Sequence, residues 1–250
     1  MRMNLAPAHV AAKIRRDLIE RSPRALLRYA TTVLRTYAVS RGEFYVPPLG
    51  KEDWRCHADA QSILHLVRYE WACAVLAAEG AGTVVDAACG CGYGTYRIAT
   101  SLRAPRVHGI DRNARALAYA TRHYARENIA YHRHDLEHLD AGLRSGAPEA
   151  IVSFDTVEHL RPESWLAWLD LLAPGGILIL NTPLRRETSY RPSNPHHTIE
   201  YAADDLVALL SDRGDVQWGD ALPCREVLDA VNVRFGTRFF QRSPLIFRKR

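Results

Sequence analysis

The sequence lacks the features that mark membrane-spanning, secreted or disulfide-stabilised proteins. Only 5 of its 250 residues are cysteines, an odd number in a chain long enough to build a core without disulfides. No uncharged apolar run approaches the ~18 residues that a membrane-spanning helix needs. The first 20 residues also lack the continuous apolar stretch of a signal peptide. We therefore expect reduced thiols and a soluble, cytoplasmic protein with no membrane partner.

Lysine is almost absent from the chain. It occurs only at Lys13, Lys51 and Lys249, so that 30 of the 33 basic residues are arginines. The formal net charge of +5 and the isoelectric point near 9.0 would suit a nucleic-acid partner. The arginines are dispersed, however, whereas nucleic-acid-binding proteins usually cluster their basic residues. We attribute the arginine excess to a GC-rich coding bias and expect a small-molecule substrate, with no nucleic-acid partner.

Short apolar runs alternate with helical patterns from residue 83 onward. The candidate strands are Thr83–Ala87, Val107–Ile110, Ile129–His132, Ala150–Phe154 and Gly176–Asn181, followed later by Asp215–Trp218 and Pro244–Arg248. The intervening helical patterns are Tyr93–Leu102, Asn113–Arg126, Pro162–Leu172 and, near the end, Ala202–Ser211. Alternation of this kind indicates a parallel sheet covered by helices. We predict an α/β, Rossmann-like, doubly wound and mostly parallel seven-stranded sheet.

Two segments lie outside this alternation. Residues 1–58 have their own helical patterns and are predicted to form an N-terminal helical lid, which could also pair two subunits in a homodimer. Residues 59–250 are predicted to form the main domain, beginning with a helix that runs to Glu79. Within that domain, residues 182–201 form a polar loop rich in Arg, Pro and His. We expect this loop to contact the substrate.

Glycine and aspartate residues follow the first three candidate strands. Asp86 ends the first strand, and Gly90, Gly92 and Gly94 follow at alternate positions. Glycines in this pattern let the backbone turn sharply and approach a ligand. Asp111 ends the second strand at a spacing that suits a carboxylate binding ribose hydroxyls, and Asp135 follows the third. The pattern predicts an adenosine-containing cofactor, and a nicotinamide dinucleotide would share the glycine loop and the ribose-binding acid.

The residues around these positions resemble a known family. Residues 84–94 (VVDAACGCGYG) resemble the cofactor motif of class I S-adenosylmethionine-dependent methyltransferases. Residues 152–160 (VSFDTVEHL) and 172–176 (LAPGG) continue the match. Residues 194–201 (NPHHTIEY) are similar to the Asn-Pro-x-His-x-x-Glu-[Phe/Tyr] loop of a bacterial small-molecule and saccharide O-methyltransferase subgroup.

The resemblance implies S-adenosylmethionine as the cofactor. It places the ribose hydroxyls on Asp111, the adenine near Asp135 and the Leu136 amide, and the methionine moiety near Asp86. The full set of residues that it assigns to the cofactor is Tyr69, Asp86, Ala88, Gly90, Gly92, Asp111, Asp135, Leu136, Phe154 and Asp155.

A methyl acceptor that is a hydroxyl gains from losing its proton. His197 matches the loop histidine of the subgroup and is the first candidate for the base, followed by His159, with Glu158 as the third catalytic candidate. Asp155 and Glu158 are similar to the paired acids of ubiquinone-type catechol O-methyltransferases, where a divalent cation could orient two oxygens. Acids also favour helix N-termini in their own right, and we expect no metal.

The resemblance leaves the acceptor open. We expect methyl transfer to an oxygen of a sugar or a specialised, antibiotic-type metabolite. N-methylation of an amino sugar or another amine is the alternative within the class. A catalytically inactive binding protein with a methyltransferase-like fold is the alternative from another class.

Overall fold

The computed structural model describes residues 60–102, 106–138, 146–192, 194–218 and 244–250, together with positions 34, 38 and 41. The chain divides into two compact units, Met1–Val67 with Glu226–Thr237 and Arg68–Arg225 with Arg238–Arg250. In the first unit, positions 34 and 38 are helical. The predicted lid of residues 1–58 and its boundary otherwise lie outside the described residues. The second unit holds the sheet and every residue predicted for the site.

The described strands are β1 Thr83–Ala87, β2 Arg106–Asp111, β3 Ile129–Arg133, β4 Ala150–Phe154, β5 Ile177–Asn181, β6 Leu184–Arg185, β7 Tyr201–Ala202, β8 Gly214–Trp218 and β9 Leu245–Lys249. Seven of the nine described strands lie within one residue of the predicted bounds, and the short strands β6 and β7 were not predicted. The described helices are α1 Ala60–Glu79, α2 Tyr93–Ser101, α3 Ala114–His123, α4 Pro162–Leu166, α5 Trp168–Leu171 and α6 Ala203–Ser211. Single 3-10 turns cover Leu136–His138 and Val157–His159. None of the helices in the described part of the chain is long and apolar enough to cross a membrane.

Seven strands form one sheet in the order β3-β2-β1-β4-β5-β9-β8. The first five are parallel, and β9 runs antiparallel to both of its neighbours, which confirms the predicted fold class. The chain moves outward from β1 through β2 to β3 and then returns to β4 on the other side of β1. Ligands bind at such a reversal, beyond the carboxyl ends of the strands. A ligand site is therefore expected at the segments that follow β1, β2 and β4.

The core beneath the site contains three large aromatic residues. Trp165, Trp168 and Tyr201 are fully buried. The indole N–H of Trp165 donates to the Tyr201 hydroxyl at 3.0 Å, and that of Trp168 donates to the Leu136 carbonyl at 3.3 Å. Buried polar groups of this kind are stable only when they are hydrogen-bonded. These two bonds attach the turn after β3 and the end of the 182–201 segment to the helices α4 and α5.

Two predicted elements differ from the structure. The helix expected over Pro162–Leu172 is broken at Ala167, whose carbonyl accepts a 3.2 Å bond from the Asp170 N–H in a tighter, i to i+3 turn. The loop expected over residues 182–201 contains a short parallel ladder that pairs β6 with β7, and a bridge between Ser189 and Glu200. Both differences depend on contacts that local periodicity does not encode.

A pair of histidines lies side by side on β2 and β3. His108 Nδ1 and His132 Nε2 are 2.9 Å apart, and the two rings stack with centroids 5.1 Å apart. One nitrogen must therefore accept while the other donates, so the pair cannot hold two protonated rings without repulsion. Burial, followed by His132 and Arg106, lowers the pKa of His108, and burial, followed by His134, lowers the pKa of His132.

These lowered pKa values predict a loss of stability in acid. Below an unfolded-state pKa of about 6.5, the unfolded chain binds more protons than the folded chain, so the stability present at pH above about 7 is lost as the pH falls. We expect His132→Gln to show a smaller drop in the free energy of unfolding between about pH 7.5 and 5.5 than the native protein, as measured by urea denaturation. The exposed His138→Gln is the control and should retain the native drop. An equal drop in all three proteins would contradict the prediction.

Candidate active site

The loop between β1 and α2 has an unusual backbone. Ala88, Gly90 and Gly92 all have positive φ angles, of 61°, 54° and 82°. A methyl group at Gly92 would lie 2.5 Å from Cβ of Ala120 and 2.6 Å from the Tyr131 hydroxyl, so no larger residue fits there. At Gly90, in contrast, no atom lies within 4 Å of the position of an added methyl group. The loop thus exposes its backbone to open space at Gly90.

Asp86 is the buried polar centre beneath this loop. Its two carboxyl oxygens accept hydrogen bonds from the Tyr69 hydroxyl at 3.1 Å and from Thr95 Oγ1 at 2.6 Å. Burial raises the pKa of Asp86 to about 7, against the opposing effect of these hydrogen bonds, and the nearby Asp111 raises it further. Asp86 therefore joins β1 to α1 and α2 at the sheet edge where the loop begins.

Tyr69 packs directly against the start of α2. A methyl group at Gly94 would lie 1.8 Å from Tyr69 Cζ, inside the tyrosine ring. The other side of Tyr69 meets Phe154 at the end of β4, edge to face, with centroids 5.2 Å apart. The structure thus brings together three predicted cofactor residues, Tyr69, Asp86 and Phe154.

Asp111 joins the glycine loop to the end of β2. Its Oδ2 accepts from the Gly90 N–H at 2.8 Å, and its Oδ1 accepts from the Asn113 N–H at 2.8 Å. A carboxylate oxygen can accept more than one hydrogen bond, so both oxygens keep capacity for a ligand that offers two neighbouring hydroxyls. Asp135, exposed after β3, caps the turn containing Leu136 by accepting from the Glu137 N–H at 3.1 Å.

Asp155 follows β4 with a left-handed backbone, at φ 49°. Its carboxylate forms an ion pair with the buried Arg68, and its N–H donates to the Asn181 carbonyl at 2.9 Å. Arg68 thus neutralises an acid of the protein itself.

Glu158, His159 and His197, the three predicted catalytic candidates, lie together and form what we call the imidazole–carboxylate cluster. One nitrogen or oxygen atom of each lies within 4.8 Å of the corresponding atoms of the other two. The two rings meet edge to face with centroids 5.0 Å apart. Glu158 is only 1% exposed, and its Oε2 accepts from Thr182 Oγ1 at 2.8 Å. Burial, followed by the charge of Asp155, raises the pKa of Glu158 to about 7.

The loop of residues 194–201 holds His197 in place. The Asn194 side chain accepts from the His196 N–H at 3.0 Å, and its carbonyl accepts from the His197 N–H at 3.1 Å. The N–H groups of Thr198 and Ile199 then donate to the Glu158 carbonyl at 2.7 and 3.1 Å. These bonds place His197 beside Glu158 although the two residues are far apart in the sequence.

Glu200 orients His197 and was not among the predicted site residues. Its Oε1 lies 2.7 Å from His197 Nδ1. Arg185 donates to both oxygens of Glu200, with Nη2 3.1 Å from Oε1, and holds the pKa of the buried Glu200 below its usual value. The signal for Glu200 was present in its spacing, three residues after His197. The participation of Arg185 had no local signal.

The burial of Tyr69 against Gly94 gives a testable prediction. We expect Gly94→Ala to destabilise the domain by roughly 1–3 kcal/mol or more, because the tyrosine ring must move away from its Asp86 partner. In a Tyr69→Ala background the same substitution should cost much less, since the obstructing ring is gone. Urea denaturation of the four proteins in the cycle measures the coupling. Additive free energies would contradict the packing described above.

The chain matches known proteins over its sheet region. Residues 84–176 match a family model described as a methyltransferase domain. A probable S-adenosylmethionine-dependent methyltransferase of Mycolicibacterium smegmatis is 34% identical over 140 residues, which are 52% of this chain and 51% of that protein. A similarly described protein of Mycobacterium tuberculosis is 33% identical over 141 residues, or 53% of this chain and 48% of the relative. The chain spans about half the length of these curated relatives.

Solved structures match over a longer part of the chain. The magnesium protoporphyrin IX methyltransferase of Synechocystis PCC 6803, solved with bound S-adenosylmethionine, superposes with a TM-score of 0.54 at 18% identity and covers 88% of this chain and 96% of its own. The sugar N-methyltransferase KedS8 from Streptoalloteichus superposes with a TM-score of 0.54 at 14% identity, over 74% of this chain and 87% of its own. At these identities the likeness concerns the fold.

Proposed function

Since residues 84–176 belong to the methyltransferase domain family, of the class I S-adenosylmethionine-dependent type, we propose that the protein transfers a methyl group from S-adenosylmethionine to an oxygen of a small molecule. The observation that carries the proposal is the contact between Asp111 and the Gly90 N–H, which joins the glycine loop and the acid after β2 into one ligand-binding edge.

The residues at this edge fit the cofactor. Open space lies beside Gly90, and the carboxylate of Asp111 suits the two ribose hydroxyls. Asp135 and the turn at Leu136 would border the adenine, and Tyr69, Asp86, Ala88, Phe154 and Asp155 the methionine end. When bound, S-adenosylmethionine supplies a methyl group on a positively charged sulfur, and its carbon–sulfur bond breaks toward sulfur as the acceptor oxygen bonds to carbon.

The imidazole–carboxylate cluster supports an oxygen acceptor. A hydroxyl is a weak nucleophile until it loses its proton, whereas a neutral amine already has a reactive lone pair. His197 is held by Glu200 through Nδ1, an arrangement that supports Nε2 as the group that receives a proton. His159 and Glu158 adjoin it and complete a polar site in which a hydroxyl could be bound and activated.

The acceptor that we propose is a hydroxyl of a sugar or a specialised metabolite. The support is the likeness of residues 194–201 to a saccharide-modifying subgroup, together with an exposed aromatic ring in the preceding segment. Tyr190 is 74% exposed and lies between Arg185 and the histidines along the chain. Aromatic rings of this kind offer an apolar face to a flat or cyclic ligand.

Cofactor binding is predicted to depend on Asp111. Asp111→Asn removes a charged acceptor worth about 1.5–3 kcal/mol, so titration calorimetry should show S-adenosylmethionine bound roughly 10- to 100-fold more weakly. Asp212→Asn, a change of the same size and charge just after α6, is the control and should bind as the native protein does. No binding by the folded native protein would overturn the proposed function.

Methyl transfer is predicted to depend on His197. In assays with a labelled methyl group and a panel of glycosides and amino sugars, His197→Gln should lower kcat by roughly 10²- to 10⁴-fold while cofactor binding persists. His196→Gln changes the neighbouring exposed ring and should leave kcat unchanged. Spectroscopic assignment of the product identifies the methylated atom. A methyl group found only on nitrogen would contradict the oxygen assignment.

A further inference from the structure

We propose that Glu158, His159 and His197 bind a divalent transition-metal cation, which activates the acceptor hydroxyl. Its binding can be tested without any substrate, but its role rests on the proposed function. The two histidines are 38 positions apart and meet only in the folded chain, so their spacing did not predict a metal site, and none was expected.

The hydrogen-bond partners of the two imidazoles fix which nitrogen is available. His159 Nδ1 lies 2.7 Å from the His196 carbonyl oxygen, which can only accept, so Nδ1 carries the proton and Nε2 keeps its lone pair. His197 Nδ1 lies 2.7 Å from Oε1 of Glu200, a carboxylate paired with Arg185, so the same assignment follows. Both rings therefore present an Nε2 lone pair.

Glu158 supplies the third donor. Its Oε2 accepts a hydrogen bond from Thr182, and its Oε1, 4.0 Å from His159 Nε2, is the oxygen that would bind the cation. Donors that share one cation at about 2.1 Å stand about 3–3.5 Å apart. The observed separations, all within 4.8 Å, thus need an approach of about 1 Å. The side chain of His159, 42% exposed, has room for such a movement.

The hydrogen bond between Asn194 and His197 must break for the cation to bind. Its Nδ2 lies 2.9 Å from His197 Nε2 and donates to the lone pair that a cation would use. Its other side-chain atom, Oδ1, already accepts from the His196 N–H. A turn of the amide away from His197 would release the nitrogen, and the cation would then replace one hydrogen bond with a coordinate bond.

The outer partners of the two histidines are those that metal-binding histidines usually have. Such histidines donate their second nitrogen to a carboxylate or a backbone carbonyl, which fixes the ring orientation and increases its basicity. Here Glu200 serves His197, and the His196 carbonyl serves His159. Arg185 in turn holds Glu200. A single histidine acting as a general base would need only one such partner, whereas here both histidines have one.

The donor set indicates which cations fit. Two imidazoles and one carboxylate suit Mn²⁺, Fe²⁺, Co²⁺ or Zn²⁺, whereas Mg²⁺ and Ca²⁺ prefer oxygen ligands. Three protein ligands leave positions open for a substrate oxygen. A hydroxyl bound there loses its proton to solvent more readily, and its oxygen then attacks the methyl carbon. With the cation bound, His197 Nε2 serves as a ligand; without it, the same nitrogen receives the proton, so His197→Gln lowers kcat in either case.

The test uses the full chain after removal of metals with a chelator, titrated with Co²⁺ and followed by visible absorption. We expect saturable absorption bands from imidazole-bound Co²⁺ that an excess of Mg²⁺ does not displace. His159→Gln and His197→Gln should each abolish them. Glu200→Gln should weaken Co²⁺ binding roughly 10- to 100-fold, as the loss of an outer partner does. The control, His196→Gln, keeps the backbone carbonyl that holds His159 and should bind as the native protein does.

Two results would overturn the proposal. One is the absence of saturable Co²⁺ binding by the native protein, and the other is a spectrum that survives both the His159 and the His197 substitution. Circular dichroism of each variant verifies that it is folded. Calorimetry with S-adenosylmethionine on the same samples distinguishes failure of the metal site from failure of the proposed function. Cofactor binding uses Asp111 and the glycine loop, which are not part of the metal site. Cofactor binding without Co²⁺ binding would reject the metal site alone.

Discussion

The buried carboxyl group of Asp86 is the constraint on which the cofactor side of the site depends. It lies at the point where the sheet reverses direction, and it receives one hydrogen bond from α1 and one from α2. Because a buried acid without partners would be costly, Tyr69 and Thr95 must remain at its two oxygens. That requirement fixes Tyr69 over Gly94 and leaves no room for a side chain there. The glycine loop thus has its shape for reasons of packing as well as ligand access.

The remaining acids near the site differ in how their negative charge is compensated. Asp155 and Glu200 are each paired with an arginine, Arg68 and Arg185, so their charges are balanced within the protein. Glu158 is buried beside the two imidazoles, and its raised pKa reflects both burial and the neighbouring Asp155. The site thus contains two acids that are paired with arginines and one buried acid whose pKa is raised. A cation beside Glu158 would favour its ionised form by the same electrostatics.

The fold was predictable from the sequence because its strands are short, apolar and bounded by polar turns. The bounds of every predicted strand lie within one residue of an observed strand. In β4, and in β5 up to its last residue, burial on both faces requires a nearly continuous apolar run. The closeness of Asp86 and Asp111 was also predictable, because parallel strands bring their carboxyl ends to the same edge of the sheet. The break at Ala167 and the pairing of β6 with β7 were not, since each depends on tertiary contacts. The arginine partners of Asp155 and Glu200 were invisible for the same reason.

The loop of residues 194–201 shows how a local motif acquires a chemical role only through its surroundings. The spacing of His197 and Glu200 suffices to bring imidazole and carboxylate together, but it does not determine which proton the ring carries. Arg185 lowers the pKa of Glu200 and so keeps it ionised. An ionised carboxylate can only accept a hydrogen bond, so the proton of the His197 ring is on Nδ1. The main-chain bonds from Thr198 and Ile199 to Glu158 then bring the oriented ring to the end of β4. A histidine fixed in this tautomer, close to another imidazole and a buried acid, is arranged as a ligand as much as a base.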